Sequence, residues 1–197
     1  MGKHGTEYAR VARDAYPTPG WVVDALVEHV DIHGLRIWEP ACGDGQMVRA
    51  LEAHGASVHG TDIAGDSVDG IFDFCSRGLP CGLSHYSGII TNPPWSLADA
   101  FVELGLERIR TGGFMALLLP TDFDSAMGRR RFFHECPYFH ARIILTKRIV
   151  WFERSDGIKA APRESTAWSV WSRPVLRGRI PEVRYAPAPN GLAEAAA

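Results

Sequence analysis

A chain of 197 residues, 46% hydrophobic and 22% charged, has the makeup of one globular domain with a full core. No apolar run reaches the length of a membrane span, and the opening Met1-Gly-Lys-His lacks the apolar stretch of a secretory signal, so a cytoplasmic protein without membrane association is expected. The net charge of −2 excludes a strongly basic or acidic chain but hides an asymmetry: residues 1–107 hold 6 Lys/Arg against 15 Asp/Glu, and residues 108–184 hold 15 against 7.

Residues 1–16 are polar and expected to be mobile. Pro17-Thr-Pro19 forms an extended entry to a helix over Gly20–Val30, where Val22, Val23, Leu26, Val27 and Val30 keep helical spacing. Leu35–Trp38 is a buried strand, followed by a Gly43-Asp-Gly45 turn and a helix Gln46–His54 that Gly55 stops. Ser57–Thr61 is the second strand, ending at Asp62. Val68–Phe72 is a short third, and Gly88–Thr91, closing the apolar run Tyr86–Thr91, is the fourth. Leu97–Arg110 repeats apolar residues at helical spacing up to Gly112-Gly113, and Phe114–Leu119 is the most apolar strand. A further helix is expected over Ser125–Glu135, then strands Ala141–Leu145 and Thr166–Trp171, which read as an antiparallel hairpin at one edge. Residues 186–197, rich in Ala and Pro, read as a disordered tail. The alternation implies an α/β, Rossmann-like sheet, mostly parallel, with helices on both faces, as a single domain over residues 1–185.

Four cysteines stand at 42, 75, 81 and 136. The Cys75/Cys81 pair with His85 lacks a usual zinc spacing, so reduced thiols and no metal are expected.

Two loops carry the chemistry. Glu39-Pro40-Ala41-Cys42-Gly43-Asp44-Gly45 follows the first strand, where open parallel sheets bind ligands. Its glycines admit close backbone approach, and the helix start behind them favours an anionic group. The third glycine of a dinucleotide fingerprint is missing, and no G-x-x-x-x-G-K run exists, which counts against NAD and ATP. Asp62, closing the second strand, offers two acceptor oxygens to a ribose diol, with a strand-end turn acid as the plainer reading. The tetrad Asn92-Pro93-Pro94-Trp95 follows the fourth strand. Asn92 supplies a side-chain carbonyl and Pro93 a backbone carbonyl, held rigid by consecutive prolines, to accept two amine hydrogens. Trp95 offers a π-face to a planar base. Alone, the tetrad could also be a proline-stiffened turn with a core tryptophan, the less favoured of the two readings.

In this order, the Glu39–Gly45 loop resembles the cofactor loop of S-adenosylmethionine-dependent methyltransferases. Asn92–Trp95 resembles the catalytic loop of the branch that methylates exocyclic amines, adenine above all. The resemblance covers most of the chain, is closest to small stand-alone DNA adenine methylases of phages and prophages, and implies a seven-stranded sheet. It implies that Thr18 touches the cofactor's amino-acid end, with capping of its own helix as the plainer reading. It also implies that Asp73 accepts the cofactor's adenine amine while Phe74 packs the ring, although Asp66 and Asp69 compete for Asp73's role. Arg129, Arg130 and Arg131 are candidates for phosphate contact, or form a solvated face. Trp151 or Phe152 would sandwich a base against Trp95, or pack the core. Lys159–Arg163 reads as a loop closing on substrate. Protein glutamine and RNA methyltransferases share the tetrad with another aromatic last; the basic half, the arginine triplet and the segment Thr146–Phe152 push towards nucleic acid, most often DNA in this family, with RNA adenine and protein glutamine methylation as alternatives. A catalytically silent fold that binds nucleic acid is the non-enzyme alternative. The chain has no room for a separate target-recognition domain.

Overall fold

In a computed structural model, residues 17–64, 69–76, 78, 86–150, 164–173 and 181–186 are described. Helix α1 spans Gly20–Val27, α2 Gln46–Ala53 and α3 Ala98–Arg108. The strands are β1 Arg36–Glu39, β2 Ser57–Asp62, β3 Gly70–Ile71, β4 Gly88–Thr91, β5 Phe114–Pro120, β6 Phe139–Ile144, β7 Thr166–Ser172 and β8 Glu182–Tyr185. They form one sheet in the order β3-β2-β1-β4-β5-β7-β6-β8. Neighbours from β3 to β5 are parallel, β7 runs antiparallel to both β5 and β6, and β8 returns parallel to β6.

Side-chain alternation along the strands builds two cores. On one face, Ile37, Ile90, Ala116 and Leu118 meet α1 and α2 through Val22, Val23, Leu26, Met47 and Leu51. On the other, Trp38, Ile89, Met115, Leu117 and Leu119 meet α3 through Phe101 and Val102. Helices therefore cover both faces, as the alternating pattern implies. The buried tryptophans also find acceptors for their indole N–H groups. Trp38 donates to Thr61 Oγ1 (2.9 Å), Trp168 to the Val22 carbonyl (2.8 Å) and Trp171 to the Phe132 carbonyl (2.7 Å).

Three expectations are corrected. The sheet has eight strands instead of seven, because Glu182–Tyr185 adds β8 beside β6. Its alternating half-buried pattern and exposed Val183 mark an edge strand too short and charged to stand out in the sequence. Second, β6 and β7 do pair antiparallel, but not as an edge hairpin: β7 inserts between β5 and β6. Its residues from Thr166 to Trp171 are all buried, so both faces of this strand are covered as well as both of its edges paired. Third, Ser125–Glu135 is not an α-helix. Two 3₁₀ turns, Phe123–Ser125 and Met127–Phe132, take its place. Gly128 weakens a helix there, and the tighter turns let Phe123, Phe132 and Phe133 all reach the same core. Ala186, at the start of the expected tail, is buried, and its N–H reaches the Ile144 carbonyl at 3.0 Å.

Candidate active site

The strand order reverses between β1 and β4, and the loops that leave their carboxyl ends are the two singled out above. Residues 39–45 leave β1. Gly43 and Gly45 have φ of 51° and 79°, a left-handed turn that glycine adopts without strain. No atom lies within 4 Å of where a Gly43 Cβ would stand, so this backbone opens onto free space. Beneath the loop, Gly60 of β2 makes room: a Cβ there would fall 2.8 Å from Val48 Cγ2 and 3.3 Å from Cys42 Cβ. Cys42 is thus a small packed residue, and its N–H closes onto the Thr61 carbonyl at 3.0 Å.

Asp62 fastens this loop to β2. Its Oδ2 accepts the Gly43 N–H at 3.0 Å and its Oδ1 accepts the Ala64 N–H at 2.8 Å. Each oxygen keeps further lone-pair capacity toward solvent. Ile63 beside it is 60% exposed, an apolar surface next to an acceptor pair.

Glu39 is buried, with Oε1 accepting the Thr91 hydroxyl at 2.6 Å and Oε2 lacking any partner among the described residues. Burial pushes its carboxyl up from about 4.5 to about 8. The Thr91 hydrogen bond opposes that shift, the Asp62 charge adds to it, and the Ala41 amide opposes it more weakly. A bare oxygen on a buried carboxyl at a ligand-binding edge fits a cationic or N–H-bearing ligand group.

The tetrad leaves β4 directly after Thr91. Pro93 is buried, and Pro94 starts a 3₁₀ turn, Trp95–Leu97, through a Leu97 N–H to Pro94 carbonyl bond of 2.8 Å. Trp95 is half-buried, and its indole N–H reaches the Leu118 carbonyl of β5 at 3.3 Å, which tethers one edge of the ring to the sheet. Asn92 Nδ2 donates to Thr18 Oγ1 at 3.1 Å, so the element before α1 meets the tetrad across 74 positions of sequence. Thr18, Glu39, Pro40, Ala41, Cys42, Gly43, Asp62, Asn92, Pro93, Pro94 and Trp95 therefore share one end of the sheet.

Asp73 and Phe74 follow β3 at the same end of the sheet, next to Phe72, whose N–H reaches the Asp62 carbonyl at 2.8 Å. Phe74 is buried in the core, 4.5 Å from the Phe101 ring and 5.2 Å from Trp38. Asp73 is exposed and accepts the Cys75 N–H at 2.8 Å. Arg108, which the sequence did not single out, organises this segment from the end of α3. It donates to the carbonyls of Phe74 (2.5 Å), Ser76 (2.8 Å) and Gly78 (3.2 Å) and lies over the Phe74 ring. Arg129–Arg131 lie in the second 3₁₀ turn, and each meets an acid. Arg129 pairs with Asp99 at 2.7 Å, Arg130 with Glu135 at 3.2 Å and Arg131 with Glu103 at 3.1 Å. Arg129 is the most committed: it also donates to the Phe123 carbonyl at 3.0 Å and stacks 3.7 Å over that ring. Trp151, Phe152, Asp66 and Lys159–Arg163 lie outside the described residues, as do Cys81 and His85. Among the described residues, no cluster of three metal-ligating side chains occurs, and no helix is long and apolar enough to cross a membrane.

Thr91 and Ile63 also escaped the sequence reading. A hydroxyl ending an apolar strand, and an apolar residue straight after a strand-end acid, are the signals that mark them.

No protein-family model and no curated protein matches this chain. Solved structures do. An inferred RNA methyltransferase from Pyrococcus horikoshii superposes with a TM-score of 0.62 at 14% identity, over 87% of this chain and 92% of the other. An inferred class I S-adenosylmethionine-dependent methyltransferase from Listeria monocytogenes gives 0.57 at 12% identity, over 86% and 63%. The methyltransferase subunit of a type I restriction-modification system from Streptococcus thermophilus gives 0.56 at 13% identity, over 78% and 42%. This chain therefore spans about two-fifths to just under two-thirds of the length of the last two. At these identities the likeness establishes the fold alone, a Rossmann-like α/β sheet shared with these structures.

Proposed function

We propose that this protein transfers a methyl group from S-adenosylmethionine to the exocyclic amine of adenine in DNA. The observation that carries the reading is the meeting of two loops at one sheet edge. The glycine turn over Gly43 and the half-satisfied Glu39 lie on β1, beside the Asn92–Trp95 tetrad on β4. The residues fit the cofactor. Glu39, on giving up its proton to a cationic ligand, would accept from an ammonium through Oε2, the Asp62 oxygens would accept from a ribose diol, and Ile63 would cover a ring. Asp73 is the candidate acceptor for the cofactor's adenine amine, while Phe74, at 3% exposure, would act beneath it as support.

S-adenosylmethionine supplies, when bound, a methyl on a positively charged sulfur that leaves readily. What the chain must add is an orientation for a weak nucleophile, whose lone pair is delocalised into its ring. Asn92's side-chain carbonyl and Pro93's backbone carbonyl accept the two amine hydrogens, which steers the nitrogen lone pair out of the ring plane. Trp95, with its N–H tied to β5, presents a fixed face on which the extruded base stacks. Arg130, exposed and paired with Glu135, and Arg131, exposed, paired with Glu103 and lying 4.5 Å over the Phe132 ring, can exchange their acid partners for phosphates, whereas Arg129 stays with the fold. Trp151 or Phe152 would close over the opposite face of the base.

The test is to supply methyl-labelled cofactor with DNA, RNA and protein pools, then digest the labelled pool to its components. Label recovered as N6-methyladenine from DNA supports the reading, and label in RNA or on glutamine moves the same chemistry to another substrate. Asn92→Ala, folded and still binding cofactor, should transfer no label. Transfer at the unmodified rate by that variant refutes the amine mechanism.

A further inference from the structure

The proposed mechanism requires Asn92 to present oxygen, not nitrogen, to an amine that brings only hydrogens. An asparagine amide is nearly symmetric in shape, so packing alone does not choose between its two flips. A hydroxyl partner, which can both donate and accept, fixes where the amide sits and leaves the flip to the amine it meets.

We infer that Thr18 is a positioning residue that holds the Asn92 side chain in one rotamer, with the far edge of its amide turned toward the substrate. Asn92 Nδ2 donates to Thr18 Oγ1 at 3.1 Å, and the planar amide then directs Oδ1 away from Thr18. Thr18 is itself fixed. It is 5% exposed and stands between Pro17 and Pro19, with the Val22 N–H returning to the Pro19 carbonyl at 3.0 Å. Helix α1 behind it is anchored by the fully buried Val22, Val23 and Leu26 and by the Trp168 indole on the Val22 carbonyl. The hydroxyl is not used to cap that helix, whose N-terminus has no side-chain cap. A buried hydroxyl on a rigid strut, reaching the tetrad from 74 residues away, is suited to holding one rotamer of one side chain.

This inference rests on the amine-acceptor role of Asn92, and its test separates the two. The variants are Thr18→Val, which keeps the shape and removes the acceptor, Thr18→Ala, which reads the same way if valine does not fold, and Thr18→Ser, which restores the oxygen. The first measurement needs no catalysis. The side-chain amide resonances of Asn92, identified by their loss in Asn92→Asp, should shift and broaden in Thr18→Val and return in Thr18→Ser. The second is the split between turnover and binding. In Thr18→Val, kcat should fall by about 10- to 100-fold, the scale of a slightly misplaced catalytic group, with cofactor Kd within about twofold of the original and recovery in Thr18→Ser. Unmoved Asn92 resonances in Thr18→Val overturn the inference. So does a raised cofactor Kd with kcat intact, since Thr18 would then serve the cofactor directly. If the unmodified protein transfers no methyl group to any pool, the catalytic reading fails and the resonances alone decide the Thr18–Asn92 contact.

Discussion

Replacing Glu39 with glutamine removes a titration that burial has displaced. In the folded chain the carboxyl keeps its proton up to about pH 8, whereas in the unfolded chain it ionises near 4.5. Below the lower value both states hold the proton, and the group's contribution to stability is fully present. Between the two values only the folded state holds it, so each pH unit gained removes up to about 1.4 kcal/mol. Over the whole window, about 3.5 pH units wide, the loss has an upper limit of about 5 kcal/mol. Water drawn toward the new charge brings it to about 2–5 kcal/mol. Above about pH 8 both states are ionised and the loss stops growing. Glutamine keeps the side-chain shape and an acceptor for the Thr91 hydroxyl, but it cannot ionise. Urea unfolding of the ligand-free proteins between about pH 5.5 and about pH 8.5 is the assay. The midpoint of the unmodified protein should decline with pH relative to that of Glu39→Gln, and the variant should be the more stable protein at the alkaline end. Parallel midpoints across that range would refute the reasoning, because the Glu39 charge would then already be relieved in the folded chain.

Asp62→Ala should weaken cofactor binding by about 1.5–3 kcal/mol while the protein still folds, the scale of lost hydrogen bonds to a charged group. Calorimetry showing unchanged affinity would place the ribose elsewhere. Trp95→Phe should retain much of the activity, and Trp95→Ala should lose about 1–3 kcal/mol of base binding, read with a fluorescent base analogue at the target position. Equal behaviour of the two variants would make Trp95 a packing residue. Replacing Arg130 and Arg131 together with alanine should flatten the log–log salt dependence of DNA binding by up to about 2, one for each phosphate contact. An unaltered slope would assign both to their surface pairs with Glu135 and Glu103.

The parts of the fold that were legible are those written in local pattern. Val22, Val23 and Leu26 repeat at helical spacing and do line one face of α1, and the apolar run from Phe114 is the central strand β5. Strand placement was not legible in the same way. Thr166–Trp171 reads as a strand from its composition, but nothing local says whether it lies at an edge or between two partners. Only its ladders to both β5 and β6, long-range pairings, place it inside the sheet. The 3₁₀ turns after β5 were missed for a related reason: Phe123, Phe132 and Phe133 are spaced compatibly with a helix, and their convergence on Trp171 is a tertiary fact.

For the site the division is sharper. Loop identity is a matter of sequence, so residues 39–45 and 92–95 could be singled out from their glycines, prolines and preceding strands. Which polar atoms face one another is not, because it depends on how β1 and β4 come to lie side by side. The Thr91 hydroxyl reaches Glu39 across 52 positions and the Asn92 amide reaches Thr18 across 74. These two bonds have a joint consequence. Thr91 and Asn92 are consecutive, so one short stretch of backbone holds the buried carboxyl of the β1 loop and the amide of the tetrad at once. Glu39 and Asn92, in loops about fifty residues apart, thus depend for their placement on the same turn of backbone where β4 ends.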